Sequence, residues 1–216
     1  MTDYYVRKGA VGGDGSLATP WGTPAEWLAG TTNGDMGGSV THVAGDGTTA
    51  VLDGQWLLGN RINLTIQQWV GEPQAYLDFS GATTNQGTIE KSSGWAGTLN
   101  IFGLDVINSV TGGAGNSALR IVGCNSASAV VTVTGNYHDS RYGIYVYGTS
   151  GGTVNVTSCT ANTNTQRGIY VSNTSGGTVN VTSCTANTNT LYGIYVYTTS
   201  GGTVNVTSCT ANTNTQ

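Results

Sequence analysis

Charge is scarce in this chain and almost vanishes after residue 142. From Gly143 to Gln216 there is no Asp, Glu, Lys or His, and Arg167 is the single charged side chain. Glycoside hydrolysis needs a pair of carboxylic acids, and a lyase needs a base plus positive charge against the developing enolate. That stretch supplies neither. Across all 216 residues there are 7 basic and 11 acidic groups, a net of −4. A basic stripe is therefore missing, and no nucleic-acid partner is expected. No apolar run approaches the ~20 residues that cross a bilayer, so no membrane span is expected. No basic segment leading into an apolar one follows Met1-Thr2-Asp3-Tyr4-Tyr5, so no secretory leader is visible. Read as a native start, this implies synthesis in a cytoplasm and release by lysis or another non-secretory route. The expected destination is a virion or a cell surface. No CxxC pair and no His-bearing zinc spacing occurs, and no metal or other cofactor is expected.

What the chain has instead is Gly, Thr, Ser and Asn around short Val/Ile runs. The 34 glycines and three prolines suit short strands joined by tight turns rather than helices. Abundant Val, Ile and Tyr argue against disorder. Thr149 to Thr165 reads TSGGTVNVTSCTANTNT, and the same letters return at Thr174 to Thr190 and at Thr199 to Thr215, an offset of 25 with no insertion. A fixed period in the range of ~20–50 residues marks a solenoid, whose coils bury their apolar faces only against one another. The register reaches further back. Ala118-Leu119-Arg120-Ile121-Val122 aligns with Gly143-Ile144-Tyr145-Val146-Tyr147 and with the runs that begin at Gly168 and Gly193.

Each coil holds two alternating stretches. Ile144 and Val146 face one way and Tyr145 and Tyr147 the other, while Val154 and Val156 point inward between Thr153, Asn155 and Thr157. Gly151-Gly152 turns the chain between the two stretches. Cys159, Cys184 and Cys209 share one repeat position and continue the interior row with Ala161. Coils ~4.8 Å apart place such cysteines within disulfide reach. Three in file leave one unpaired, and a buried ladder of free thiols is the favoured reading over disulfides or metal. Asn164, Asn189 and Asn214 precede the next strand and read as a stacked turn ladder, with Asp139 at the equivalent place one coil earlier.

The N-terminal part differs. Thr23-Pro24-Ala25-Glu26 is a capping box with Pro at the first helical position, and Trp27-Leu28-Ala29-Gly30 completes a short helix that would plug the solenoid and hide its first edge strand. The expected organisation is one continuous domain, with a cap over 1–39, irregular coils over 40–117 and regular 25-residue coils over 118–216.

Inward Val/Ile, Asn before a turn and Gly-Ile-Tyr-Val together resemble the right-handed parallel β-helix of the pectate-lyase-like superfamily. Tyr4-Tyr5-Val6, Gly13-Asp14-Gly15-Ser16 and Ala18-Thr19-Pro20-Trp21 are similar to the opening of such proteins, and Leu64-Thr65-Ile66 to Gly71-Glu72-Pro73 to an early coil of many of them. The resemblance implies an all-β, right-handed parallel β-helix. It leaves activity open, because the superfamily includes lyases, hydrolases, phage tail fibres and tailspikes, and adhesins. The expected function is a non-enzymatic structural or adhesive module, most like a tail fibre or tailspike. A polysaccharide lyase or glycoside hydrolase is the alternative, and an ice- or mineral-binding solenoid, from the outward Thr153/Asn155/Thr157 grid, a third.

Three groups of residues are candidates. His138, Asp139 and Arg141 form the densest polar cluster, with Arg120 one coil back and Asp105 about one coil further; they are weak catalytic candidates beside a reading as turn and solvated residues. Glu72 and Asp78 have no obvious partner, and Asp14, Asp35 and Asp46 adjoin glycines as turn residues do. The third group is aromatic. Tyr145, Tyr170 and Tyr195 stack outward, Tyr147 and Tyr197 flank them, and Tyr142, Arg167 and Tyr192 fill the position before the glycine. Such rows stabilise a sheet by ring contact, form flat platforms for sugar rings, or pack against another subunit. A glycan is the expected ligand. Gln216 stops just short of a next Gly-Ile-Tyr-Val, so self-association or a further chain segment is expected to cover the last coil. The Asn-Val-Thr sequons are read as coincidental.

Overall fold

The computed structural model describes residues 2–92, 95–110 and 113–216. In chain order the elements are β1 (Asp3–Arg7), α1 (Pro24–Gly30), β2 (Asp35–Ala44), β3 (Leu52–Asp53), β4 (Trp56–Leu57), β5 (Ile62–Gln68), β6 (Tyr76–Asp78), β7 (Gly87–Lys91), β8 (Thr98–Ile107), β9 (Ser117–Val122), β10 (Val130–His138), β11 (Tyr142–Tyr147), β12 (Thr153–Thr160), β13 (Arg167–Thr174), β14 (Thr178–Thr182), β15 (Tyr192–Thr199) and β16 (Thr203–Thr207). They form two parallel sheets. Sheet A runs β1-β2-β5-β8-β10-β12-β14-β16 with β3 and β6 beside it, and sheet B runs β15-β13-β11-β9-β7-β4. From β7 onward successive strands alternate between the sheets, so each pair of strands is one turn of a right-handed parallel β-helix.

Register follows the repeat. Val154 pairs with Val179 and Val179 with Val204, and Ile144 pairs with Ile169 and Ile169 with Ile194. Between the sheets lies one continuous core. Val131, Val133, Val154, Val156, Val179 and Val181 face Ile121, Ile144, Val146, Ile169 and Val171, all fully buried. Each such side chain contributes roughly 1.5–3 kcal/mol by leaving water. A Cβ on Gly168 would lie 2.5 Å from Ala161 O and 2.8 Å from Asn189 Nδ2; that crowding explains glycine before each Ile-Tyr-Val.

The cysteines form an interior file. Cys159, Cys184 and Cys209 donate S–H to the carbonyls of Val133, Val156 and Val181 on the preceding coil, each at 3.4 Å, and all four cysteines are free thiols. Burial pushes the Cys124 thiol up to about 11.

The asparagine ladder stands, with one correction. Asn164 donates its backbone N–H and its Nδ2 to Asn189 Oδ1 at 3.0 Å, and Asn189 does the same to Asn214 at 2.9 and 3.1 Å. One coil earlier the rung is Ser140, not Asp139. The Ser140 N–H donates to Asn164 Oδ1 at 3.2 Å, and Ser140 Oγ accepts from the Asn108 N–H at 2.7 Å. Asp139 instead takes the left-handed backbone position, φ 47°, which Thr163, Thr188 and Thr213 hold in later coils at 54–56°. The expectation misplaced it because β10 lacks the bulge residue of later coils, so its register to β12 shifts between Val133 and Gly135. The asparagines do not carry the left-handed turn; the threonine before each does.

The capping box forms as read. Thr23 Oγ1 accepts from the Glu26 N–H, and Glu26 Oε2 accepts from the Thr23 N–H. The helix does not cover the edge of β1, however. It lies against β4, the outermost strand of sheet B, with Trp27 and Trp56 rings 5.1 Å apart. The edge of β1 is paired by the Gly13–Trp21 segment, through Tyr5 N–H to Gly15 O and a two-way exchange between Trp21 and β1. Two buried cations unread in the sequence fasten this end. Arg61 donates to Leu28 O, Thr31 O and Thr31 Oγ1 at the end of α1. Lys91 donates to Gly59 O and Arg61 O, and burial, then Arg61, draws its pKa down to about 8.

Candidate functional site

Two outward surfaces carry chemistry. On sheet A, β8 presents Asp105 and the end of β10 presents His138. His138 Nε2 lies 2.8 Å from Asp105 Oδ1 and Nδ1 lies 2.8 Å from Asp139 Oδ2, while Asn136 Nδ2 donates to Asp105 Oδ2 at 3.2 Å. Hydrogen bonding to Asp105 first, and then to Asp139, raises the His138 pKa to about 9 despite half-burial. Near neutral pH it is an imidazolium bridging two carboxylates, not a free base. The positive φ of Asp139 belongs to the coil, as its threonine counterparts show, and is no mark of an active site. Arg141 does not join this cluster. It turns to sheet B, where Nη1 donates to Gly113 O at 3.3 Å and the guanidinium lies 5.7 Å from the Tyr142 ring.

The bridge predicts a pH signature. A histidine pKa raised on folding stabilises fully below its unfolded value near 6.5, and the contribution fades as pH rises through about 9. In urea melts the native protein should exceed His138→Asn by on the order of 1–2 kcal/mol at pH 6, a figure discounted for the partial exposure, with the gap closing by pH 10. A gap independent of pH would exclude the charged bridge.

On sheet B, rows of side chains run along the axis. Arg120, Tyr145, Tyr170 and Tyr195 form one row, Tyr142, Arg167 and Tyr192 a second, and Tyr147, Ser172 and Tyr197 a third. The rings lie against one another. Tyr145 and Tyr170 stack at 4.8 Å and 11°, Tyr192 and Tyr195 at 4.6 Å and 23°, and Tyr195 and Tyr197 at 6.2 Å and 12°. Arg167 enters this aromatic stack. Its Cζ is 4.5 Å from the Tyr170 ring centre, 4.6 Å from Tyr195, 5.3 Å from Tyr142 and 5.7 Å from Tyr192. Nη1 donates to Tyr142 Oη at 3.1 Å. Tyr142 is 8% exposed, Tyr147 37% and Tyr197 53%. The faces of Tyr170 meet other rings and Arg167, while Tyr147 and Tyr197 keep exposed surface. Burial first, then Tyr170, raises the Tyr145 pKa to about 12, so its hydroxyl stays a donor.

The other acids have partners. Glu72, read as unpartnered, bonds Arg7 at 2.7 Å, and Asp78 accepts the backbone N–H groups of Phe79 and Ser109. Asp14, Asp35 and Asp46 accept backbone N–H groups two residues on, as turn residues do. Glu90 bonds Arg120 at 2.8 Å across two coils; no sequence signal marks a pair 30 residues apart. Among the described residues no three His, Cys, Asp or Glu side chains converge as metal ligands.

Stacked parallel coils, an unbroken interior file and rows of like residues outside define the solenoid class. The family model described as a right handed beta helix region matches residues 79–216. The chain belongs to that family. No curated protein and no solved structure matches it.

Proposed function

We propose that the chain is a non-enzymatic structural and adhesive β-helix, a rod segment of a tail fibre, tailspike or surface fibre, placed on a virion or at a cell surface. Its contact surface is the tyrosine–arginine face of sheet B, its ligand a glycan, and its axial partners further coils of like kind. One observation carries this reading. Among the described residues, the acids that meet a histidine on the outward faces, Asp105 and Asp139, are both held by its imidazolium, and from Gly143 to Gln216 the single charged side chain is Arg167, with no Asp, Glu, Lys or His. General acid–base catalysis needs a group poised to exchange protons near the working pH. A second reading, a polysaccharide-degrading enzyme, draws on the approach of Asp105 and Asp139 to one imidazole. A glycan panel followed by reducing-sugar release and by absorbance at about 235 nm for unsaturated products separates the two. No turnover is expected. Turnover that Asp139→Ala abolishes would establish the enzyme instead.

A further inference from the structure

We propose that the outward face of sheet A binds ice, through rows of Thr and Asn side chains that run along the rod. This goes beyond the adhesive reading and stands on the other sheet. The face is built from the windows 63–67, 98–102, 130–134, 153–157, 178–182 and 203–207, which lie in β5, β8, β10, β12, β14 and β16. In the first five windows the aliphatic side chains at the second and fourth places are buried in the core. The first, third and fifth places face outward. No Asp, Glu, Lys, Arg or His falls in any window. The middle row is unbroken: Thr65, Asn100, Thr132, Asn155, Asn180 and Asn205 pair in register from coil to coil. Its first three members lie in coils that do not copy the repeat, so the row is not a by-product of duplication.

The array is rigid before it meets a ligand. Asn100 Nδ2 donates to Thr65 Oγ1 at 3.2 Å, Asn180 Nδ2 to Asn155 Oδ1 at 2.9 Å and Asn205 Nδ2 to Asn180 Oδ1 at 2.8 Å. The flanking Thr side chains are β-branched and have few rotamers to lose. Coils ~4.8 Å apart and alternate residues ~6.6 Å apart make a net about 24 Å long. Both spacings are close to oxygen repeats in ice. Charge complementarity selects among regular partners. An ionic mineral needs carboxylates for its cations, and the windows hold none. A protein interface centres on aromatic and apolar anchors, and Phe102 is the single aromatic in the six windows. The amides that would read a sugar are bonded to one another. A neutral lattice of hydrogen bonds matches a neutral net of hydroxyls, methyls and locked amides.

The test is nanolitre osmometry on the whole protein, with its partition into slowly growing ice as a second measurement. Thermal hysteresis and enrichment in the ice are expected. Thr182→Lys places a long cation in the middle of the face and should remove most of both. Thr190→Lys makes the same change at an exposed turn position off the face and should leave both as in the native protein. Circular dichroism confirms that each variant is folded. Absence of hysteresis in the native protein overturns the inference. Hysteresis that survives Thr182→Lys, or that Thr190→Lys removes equally, overturns it as well. Adsorption to calcium carbonate or to cellulose without hysteresis assigns the face to another solid and has the same consequence. None of these outcomes bears on the sheet B reading, which the glycan panel tests separately.

Discussion

Asn189→Ala destabilises the rod by roughly 2–4 kcal/mol, while Asn180→Ala costs less than about 1 kcal/mol. The two residues are nine apart in one repeat, and each belongs to an Asn–Asn ladder. Their surroundings set the difference. Asn189 is 1% exposed. Its Oδ1 accepts two N–H groups of Asn164, and its Nδ2 donates to Asn214 Oδ1. Truncation strands the buried Asn164 N–H, with no water to replace the partner. Asn180 sits in the outward ladder, donating to Asn155 Oδ1 at 2.9 Å and accepting from Asn205 at 2.8 Å. There water substitutes for a lost amide. Urea midpoints of the two variants check the contrast, and equal costs would show that the interior ladder is not what fixes the turn.

That ladder also shows what could be read in advance. Repeat period, inward Val/Ile, the thiol file and the stacked asparagines were legible, because identical coils must place like residues over one another. Asp139 was misplaced by one rung because the coil before the exact repeats lacks a bulge residue, and a gap of one residue leaves no mark in a degenerate coil. The capping box was legible because its partners are local. The seat of the helix against β4 was not, since that contact is made across the fold by Trp27 and Trp56. The tyrosine rows could be predicted as rows, but whether rings show faces or edges depends on side-chain torsions. The clustering of His138 with Asp105 rather than Arg141 is likewise set by which sheet each residue faces.

The second large effect concerns phase. Removing residues 175–199 joins Thr174 to Ser200, which continues the repeat without a seam. Every inward Val, Ile and Cys keeps its place. Removing residues 175–194 joins Thr174 to Tyr195 and leaves an offset of five. Side chains alternate faces with a period of two, so an odd offset sends apolar residues outward and Thr and Asn into the core. Burying such groups without partners costs roughly 1–3 kcal/mol each, enough in sum to melt the C-terminal coils.

The most direct measurement is therefore small-angle scattering with circular dichroism on these two deletions. The stacked-column account predicts that the 175–199 deletion stays folded, with a rod shorter by one strand spacing of about 4.8 Å, and that the 175–194 deletion loses its C-terminal coils. Equal tolerance of both, or collapse of the in-phase deletion, would contradict it.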